Sequence, residues 1–240
     1  MGIIMLQKIN AVYKILILIS SFGLTTTVCA IDFTTTELLA ESGDATFQYN
    51  LGVKYESGRG VKQDYSKAID WYRKAASQGL DSAQYNLGVM YEEGRGVPQS
   101  YSNAIKWYSK AADQGFPSAQ YNLANIYSRG YGVSPDSTKA VALYKKAANQ
   151  GHVSAIYNLG VIYSIAEGVP RDYIKSLSFY RKAADKGHVL AKYNIGTMYA
   201  NGFGVSQDYS KAKAWFFESC SGGYQTACDG YRQLDILGYR

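Results

Sequence analysis

Apolar residues in this chain fall at helical spacing, and the pattern restarts at a fixed interval. From about Ser82 to Glu93, the residues Ala83, Leu87 and Tyr91 lie at i, i+4 and i+8, one stripe along a helix. Gly94 and Gly96 stop that helix, because glycine accepts the left-handed conformation at a helix C-terminus, and Val97 returns the chain to the apolar side. A second helix starts near Ser100, a good N-cap. Ala104, Trp107, Tyr108 and Ala111 form its stripe, Lys110 complements its C-terminal dipole, and Gly115 closes the unit.

The same unit recurs. The dipeptide Tyr-Asn begins at 49, 85, 121, 157 and 193, always 36 residues apart. An aromatic landmark keeps that period in Trp71-Tyr72, Trp107-Tyr108, Leu143-Tyr144, Phe179-Tyr180 and Trp215-Phe216. Glycines at 79, 115, 151, 187 and 223 do likewise, and so does the Gly-x-Gly-Val loop, which the fourth copy reduces to Gly168-Val169 with Ala166 at its first glycine. Mid-helix Gly88 and Gly160, and Ala124 in the third copy, imply close approach of neighbouring helices, since glycine there costs about 1 kcal/mol against alanine. One helix pair cannot bury its own faces, so stacked copies must share a core. The expectation is an all-α solenoid with repeats at 44–79, 80–115, 116–151, 152–187 and 188–223, capped by partial helices at 31–43 and 224–240.

The N-terminus has a different character. Lys8 and Lys14 precede the apolar stretch Ile15 to Leu24, and Val28-Cys29-Ala30 has the small residues that a signal peptidase reads. Residues 1–30 are therefore expected to be a signal peptide, with an uncleaved anchor as the alternative, and the mature protein is expected to be periplasmic or secreted without membrane insertion. Removing this segment lowers the formal charge from +6 to +4 and leaves two cysteines, Cys220 and Cys228. An even pair in an exported chain points to a disulfide, the alternative being two free thiols. Basic residues alternate with acids instead of forming a stripe, which argues against nucleic-acid binding.

The pattern Ala-x-Tyr-Asn-Leu-Gly-x-x-Tyr-x-x-Gly-x-Gly-Val-x-x-Asp-Tyr-x-x-Ala-x-x-Trp-Tyr-x-Lys-Ala-Ala-x-x-Gly covers about residues 44 to 237. It resembles the Sel-one-like (Sel1-like) repeat family, a branch of the tetratricopeptide-like solenoids. The resemblance implies a right-handed α/α solenoid, a role as adaptor or scaffold, and first helices that line a concave face. Ser219-Cys220 with Gly223 and Ala227-Cys228 resembles the spacing in the secreted cysteine-rich branch, where such a pair ties a second helix to the next first helix.

Chemistry finds little support in the residues. His152 and His188 occupy equivalent turns with no ligand set around them, so no metal or cofactor is expected. One Ser-x-x-Lys, Ser210 to Lys213, sits at a helix start without the supporting motifs of serine β-lactam enzymes, an activity described for cysteine-rich relatives. The glycine loops follow helices and lack a Gly-Lys-Ser/Thr ending. The expected function is protein or peptide binding, not catalysis, with a structural or assembly scaffold as the alternative. The candidate binding stripe pairs each repeated asparagine with the residue four further on: Asn86 with Met90, Asn122 with Ile126, Asn158 with Ile162 and Asn194 with Met198. A side-chain amide donates and accepts at once and suits a peptide backbone; the alternative is that the asparagines hold neighbouring repeats together and the apolar partners are core.

Overall fold

The computed structural model describes residues 33–239; the expected signal segment lies outside them. The described residues form twelve α-helices and no strand. A short α1 (Phe33–Glu41) precedes five helix pairs: α2 (Ala45–Ser57) with α3 (Tyr65–Ser77), α4 (Asp81–Glu93) with α5 (Tyr101–Asp113), α6 (Pro117–Arg129) with α7 (Ser137–Asn149), α8 (Val153–Ile165) with α9 (Tyr173–Asp185), and α10 (Val189–Asn201) with α11 (Tyr209–Ser221). A last helix, α12 (Gln225–Ile236), follows. Helices packed on their neighbours in the chain make this an all-α helical repeat of the solenoid class. The helix expected from Ser82 starts one residue earlier, and the one expected near Ser100 starts one residue later.

Each boundary has a local cause. Four of the five first helices end on a left-handed glycine whose N–H bonds back four residues, as Gly58 does to the Lys54 carbonyl, and Ala166 takes that place in the fourth repeat. The loop then returns, because the N–H of Asp64 donates to the Tyr55 carbonyl at 2.9 Å and that of Asp172 to Tyr163 at 2.9 Å. The same aspartates cap the second helices: Asp64, Asp136, Asp172 and Asp208 each accept from the backbone N–H three residues on. Those backbone bonds, with the following lysine, hold the carboxyls of Asp136, Asp172 and Asp208 below the usual carboxylate range. The second helices close with a bond from the residue after the turn glycine, such as His152 N–H to the Ala147 carbonyl at 3.1 Å.

The chain divides into two compact units within α5, between Trp107 and Tyr108. In the first, Leu51, Ile69, Tyr72, Leu87 and Met90 are fully buried. In the second, Tyr108, Ile126, Leu159 and Ile195 are. Among the described residues no buried side-chain polar atom lacks a partner. Ser176 donates to the Gly160 carbonyl at 2.7 Å, and Ser219 to that of Val189 at 2.9 Å.

The small mid-helix residues meet aromatic rings. A Cβ at Gly52 would lie 2.6 Å from the Tyr72 ring, one at Gly160 2.6 Å from Tyr180, and one at Gly196 2.6 Å from Phe216. Each ring seats flat on the first helix of its own repeat. Where Ala124 replaces the glycine, the Tyr144 hydroxyl bonds Asn125 at 2.5 Å, next to the alanine, whereas Tyr72 reaches Glu56, four residues past Gly52, also at 2.5 Å.

The second unit ends in α12, tied to α11 by the Cys220–Cys228 disulfide with Cα atoms 4.6 Å apart. Ala227 and Leu234 enter the core, and Arg232 and Asp229 pair at 2.8 Å on the exposed side.

Two substitutions in the second unit test these points. Gly160→Ala is expected to lower stability by about 1–3 kcal/mol despite alanine's higher helix propensity, because Tyr180 must move. Ala166, which has φ 67° where the other copies carry glycine, is the one non-glycine left-handed residue among the described residues. Ala166→Gly is expected to raise stability by about 1 kcal/mol. Urea denaturation of the full chain reads both, and a stabilising Gly160→Ala would refute the close-contact account.

Candidate peptide-binding face

An α-helix advances about 100° per residue, so each residue's direction follows from its spacing. Set Asn86 at zero on α4. Met90, Ala83, Leu87 and Tyr91 then fall on one side, and Ser82, Val89 and Glu93 on the other. Burial follows that division: Ala83, Leu87 and Met90 are buried, and Val89 and Glu93 are not. The expected groove residues Met90, Ile126, Ile162 and Met198 are core instead, with exposures of 0, 0, 4 and 4%. The physical reason is that i+4 from the asparagine turns about 40° toward the leucine, whereas i+3 turns about 60° away. The partly open arc is therefore Asn, i+3 and i+6: Asn122, Asn125 and Ser128 on α6, Asn158, Val161 and Ser164 on α8, and Asn194, Thr197 and Ala200 on α10. A sequence signal for this was present: the i+4 slot is apolar in four copies, the mark of a core position, while i+3 mixes Val, Asn and Thr.

The asparagines themselves are half-buried at 86, 122, 158 and 194, and they engage tyrosines of the preceding repeat. Asn122 donates to the Tyr108 hydroxyl at 3.1 Å, and Asn194 to that of Tyr157 at 3.3 Å. Asn86 bonds Tyr49 and Tyr72, and Asn158 bonds Tyr144. Asn50, in the first copy, is exposed. The amide nitrogens thus tie successive repeats together. Burial pushes the phenols up, Tyr144 to about 12, so they remain neutral hydrogen-bonding groups.

Two recesses open along this arc in the second unit. One, of about 370 Å³, lies between α8 and α10, with Tyr157, Tyr180, Tyr173 and Phe203 on its walls and buried Met198 at its floor. The other, of about 600 Å³, lies between α10 and α12 and includes Tyr193, Asn201, Tyr209 and Gln233. Thr197 borders both. Tyr173 and Phe203 stack with centroids 4.8 Å apart.

The other candidate residues have local partners. The Nδ1 atoms of His152 and His188 accept the N–H of Ala155 and Ala191 at 3.3 and 3.2 Å, making them helix N-caps. Their rings stack on Tyr121 and Tyr157 at 4.6 and 4.3 Å. Among the described residues no three His, Cys, Asp or Glu side chains group to hold a metal ion. Lys213, expected near Ser210, gives its ammonium to Asp235 at 2.6 Å and to the Tyr239 carbonyl at 2.7 Å. No described helix is long and apolar enough to cross a membrane.

The fold defines an all-α helical-repeat protein. The Sel1 repeat model matches residues 45–80, 81–116, 117–152, 153–188 and 189–224, and the chain belongs to the Sel1 repeat family. Proteins of this family generally bind protein partners and are not enzymes. Among solved structures, the chain is similar to a protective antigen present in uropathogenic Escherichia coli strains displaying an SLR fold, at 41% identity and a TM-score of 0.79 over 81% of this chain. That match spans only 42% of the antigen. It is also similar to a Sel1 repeat protein from Oxalobacter formigenes, at 31% identity and a TM-score of 0.75, covering 81% of this chain and 79% of the other. No curated protein matches the chain significantly.

The histidine caps carry a pH dependence. Burial lowers both pKa values, and the bond to each backbone N–H requires a neutral ring. Their contribution is complete above the unfolded pKa of about 6.5 and is lost as pH falls through the lower folded value. The urea midpoint is expected to drop between pH 7.5 and 5, and the drop to shrink in His152→Asn/His188→Asn, which keeps a cap without a titrating group. Equal pH slopes in the two proteins would remove the histidines from this role.

Proposed function

We propose that the protein is exported and works as an adaptor, holding a protein segment along the α8–α10–α12 face of its second unit. The observation that carries this reading is the pair of recesses meeting at Thr197, walled by aromatic rings and polar groups, with Asp229 the one charged residue lining them. Aromatic side chains with hydroxyl groups supply rigid contact area at low entropic cost, the usual equipment of a binding surface. The asparagines belong to this face as its scaffolding: with their nitrogens committed to tyrosines, they position the rings. Export is supported by the N-terminal charge and apolar pattern and by the Cys220–Cys228 bond, which suits an oxidising compartment. Similarity to a protein described as a protective antigen is in keeping with it.

Val161→Glu/Thr197→Glu tests the face, since both side chains are partly exposed and Val161 only borders the core. A partner captured from cell-envelope extract by the full chain is expected to bind the double variant at least roughly tenfold more weakly, with helical circular dichroism and melting unchanged. Undiminished capture by the folded variant would move binding to another surface. Fractionation of the producing cells is expected to yield a chain beginning at Ile31.

A further inference from the structure

The recess between α8 and α10 is one copy of a slot that recurs along the repeats, and the copies differ in what fills them. In the first repeat the slot is plugged. Glu56 accepts the Tyr72 hydroxyl at 2.5 Å and pairs with Arg95 at 3.4 Å, and Arg95 also pairs with Glu93. In the third, Ser128 donates to Glu167 at 2.8 Å across the same gap, and Asn125 takes the Tyr144 proton at 2.5 Å. In the fourth, the residues equivalent to Glu56 and Arg95 are Ser164 and Phe203. Ser164 turns back to the Val161 carbonyl at 2.7 Å, and Phe203 lies flat on Tyr173, so about 370 Å³ stays open. Gly204 seats Phe203 against that wall: a Cβ there would meet the Tyr173 backbone at 2.7 Å.

The chemistry of the open slot defines its occupant. No lining residue is charged. The Tyr157 hydroxyl accepts from Asn194 and donates to no described residue. The Tyr180 hydroxyl is engaged by Ser164, Ser176 and Asn194. Burial raises both phenols, so both protons stay in place as donors. Arg171 already lies beside the Tyr173 ring, 5.8 Å from its centroid, which disfavours a cationic guest. Aromatic walls with an unused donor at Tyr157 suit a ligand that is apolar, flat and rich in acceptors but poor in donors. A proline-containing extended segment has those properties, because proline lacks an N–H and its preceding carbonyls stay free.

We infer that the slot lined by Tyr157, Tyr173, Tyr180 and Phe203 is a subsite for a proline residue of an extended polyproline-type segment. The inference rests on the α8–α10–α12 face being the binding surface and names the chemistry taken at one point of it.

The test is calorimetric titration of the full chain with a blocked oligoproline peptide of about ten residues, beside blocked Gly-Ser and Lys-rich peptides of equal length. Two variants accompany it. Ser164→Glu/Phe203→Arg rebuilds the plug of the first repeat, an arrangement this fold already accommodates, and Phe203→Ala removes one wall by changing an exposed side chain. The expected result is binding of oligoproline at one site, at least roughly tenfold tighter than either control. A loss of tenfold or more in the plugged variant and a smaller loss in Phe203→Ala should accompany it. Equal binding of the Gly-Ser or Lys-rich peptide, no binding of oligoproline, or undiminished binding in the folded plugged variant overturns the inference. If oligoproline fails while an envelope partner is still lost on Val161→Glu/Thr197→Glu, the face stands and only the proline assignment falls.

Discussion

The contact on which the repeat depends is that of an aromatic ring laid on a first helix where no side chain stands. Tyr72 on Gly52, Tyr180 on Gly160 and Phe216 on Gly196 bring the two helices of a pair close enough to bury both apolar stripes. Glycine is a poor helix former, and the local cost is about 1 kcal/mol per position. It is offset by burying a whole aromatic side chain, which is worth about 1.5–3 kcal/mol or more. Where the ring is a tyrosine, as at Tyr72 and Tyr180, its placement also fixes where the hydroxyl emerges.

From that contact a second link follows. The asparagine of each following repeat finds tyrosine hydroxyls of the repeat before it, as Asn194 finds Tyr157. One side-chain amide per repeat is satisfied at half-burial, where leaving it without a partner would be costly. Ring, hydroxyl and amide form a chain of contacts from one pair to the next within each unit. The fold is therefore stiff where the rings lie and open to variation one helical step away, at Val161, Thr197 and Ser164.

The fold was legible in the sequence because its determinants are local and repeated. The 36-residue period, the stop glycines and the capping aspartates each fix a boundary within a residue or two. The inner face was legible only in part. The asparagines pointed to it, but Met90, Ile126, Ile162 and Met198 were assigned to the groove when they belong to the core. Positions i+3 and i+4 differ by a single residue in sequence and by about 100° on the helix, so a small error in direction moves a stripe from solvent to interior. Ring placement was not legible at all. Nothing in the string distinguishes a tyrosine whose proton is taken, such as Tyr144 by Asn125, from one whose proton is free, such as Tyr157.

In a repeat protein, residues held constant report what stacking requires, and residues that depart report what a particular copy has been adapted to do. Glu56 with Arg95 and Ser128 with Glu167 close their slots by pairing across successive repeats. An exposed or half-exposed ion pair of this kind adds little stability, about 0–1 kcal/mol, so stabilising the fold is a weak reason for having it. Its larger effect is occlusion: it fills space and satisfies a phenol proton. Ser164 and Phe203 leave the space open, because Phe203 is turned aside onto Tyr173 rather than into it. The fourth slot is lined by no charged residue and lacks such a polar pair. On a repeated backbone, a change of side chains at such a joint leaves a cavity with an unused hydrogen-bond donor at Tyr157.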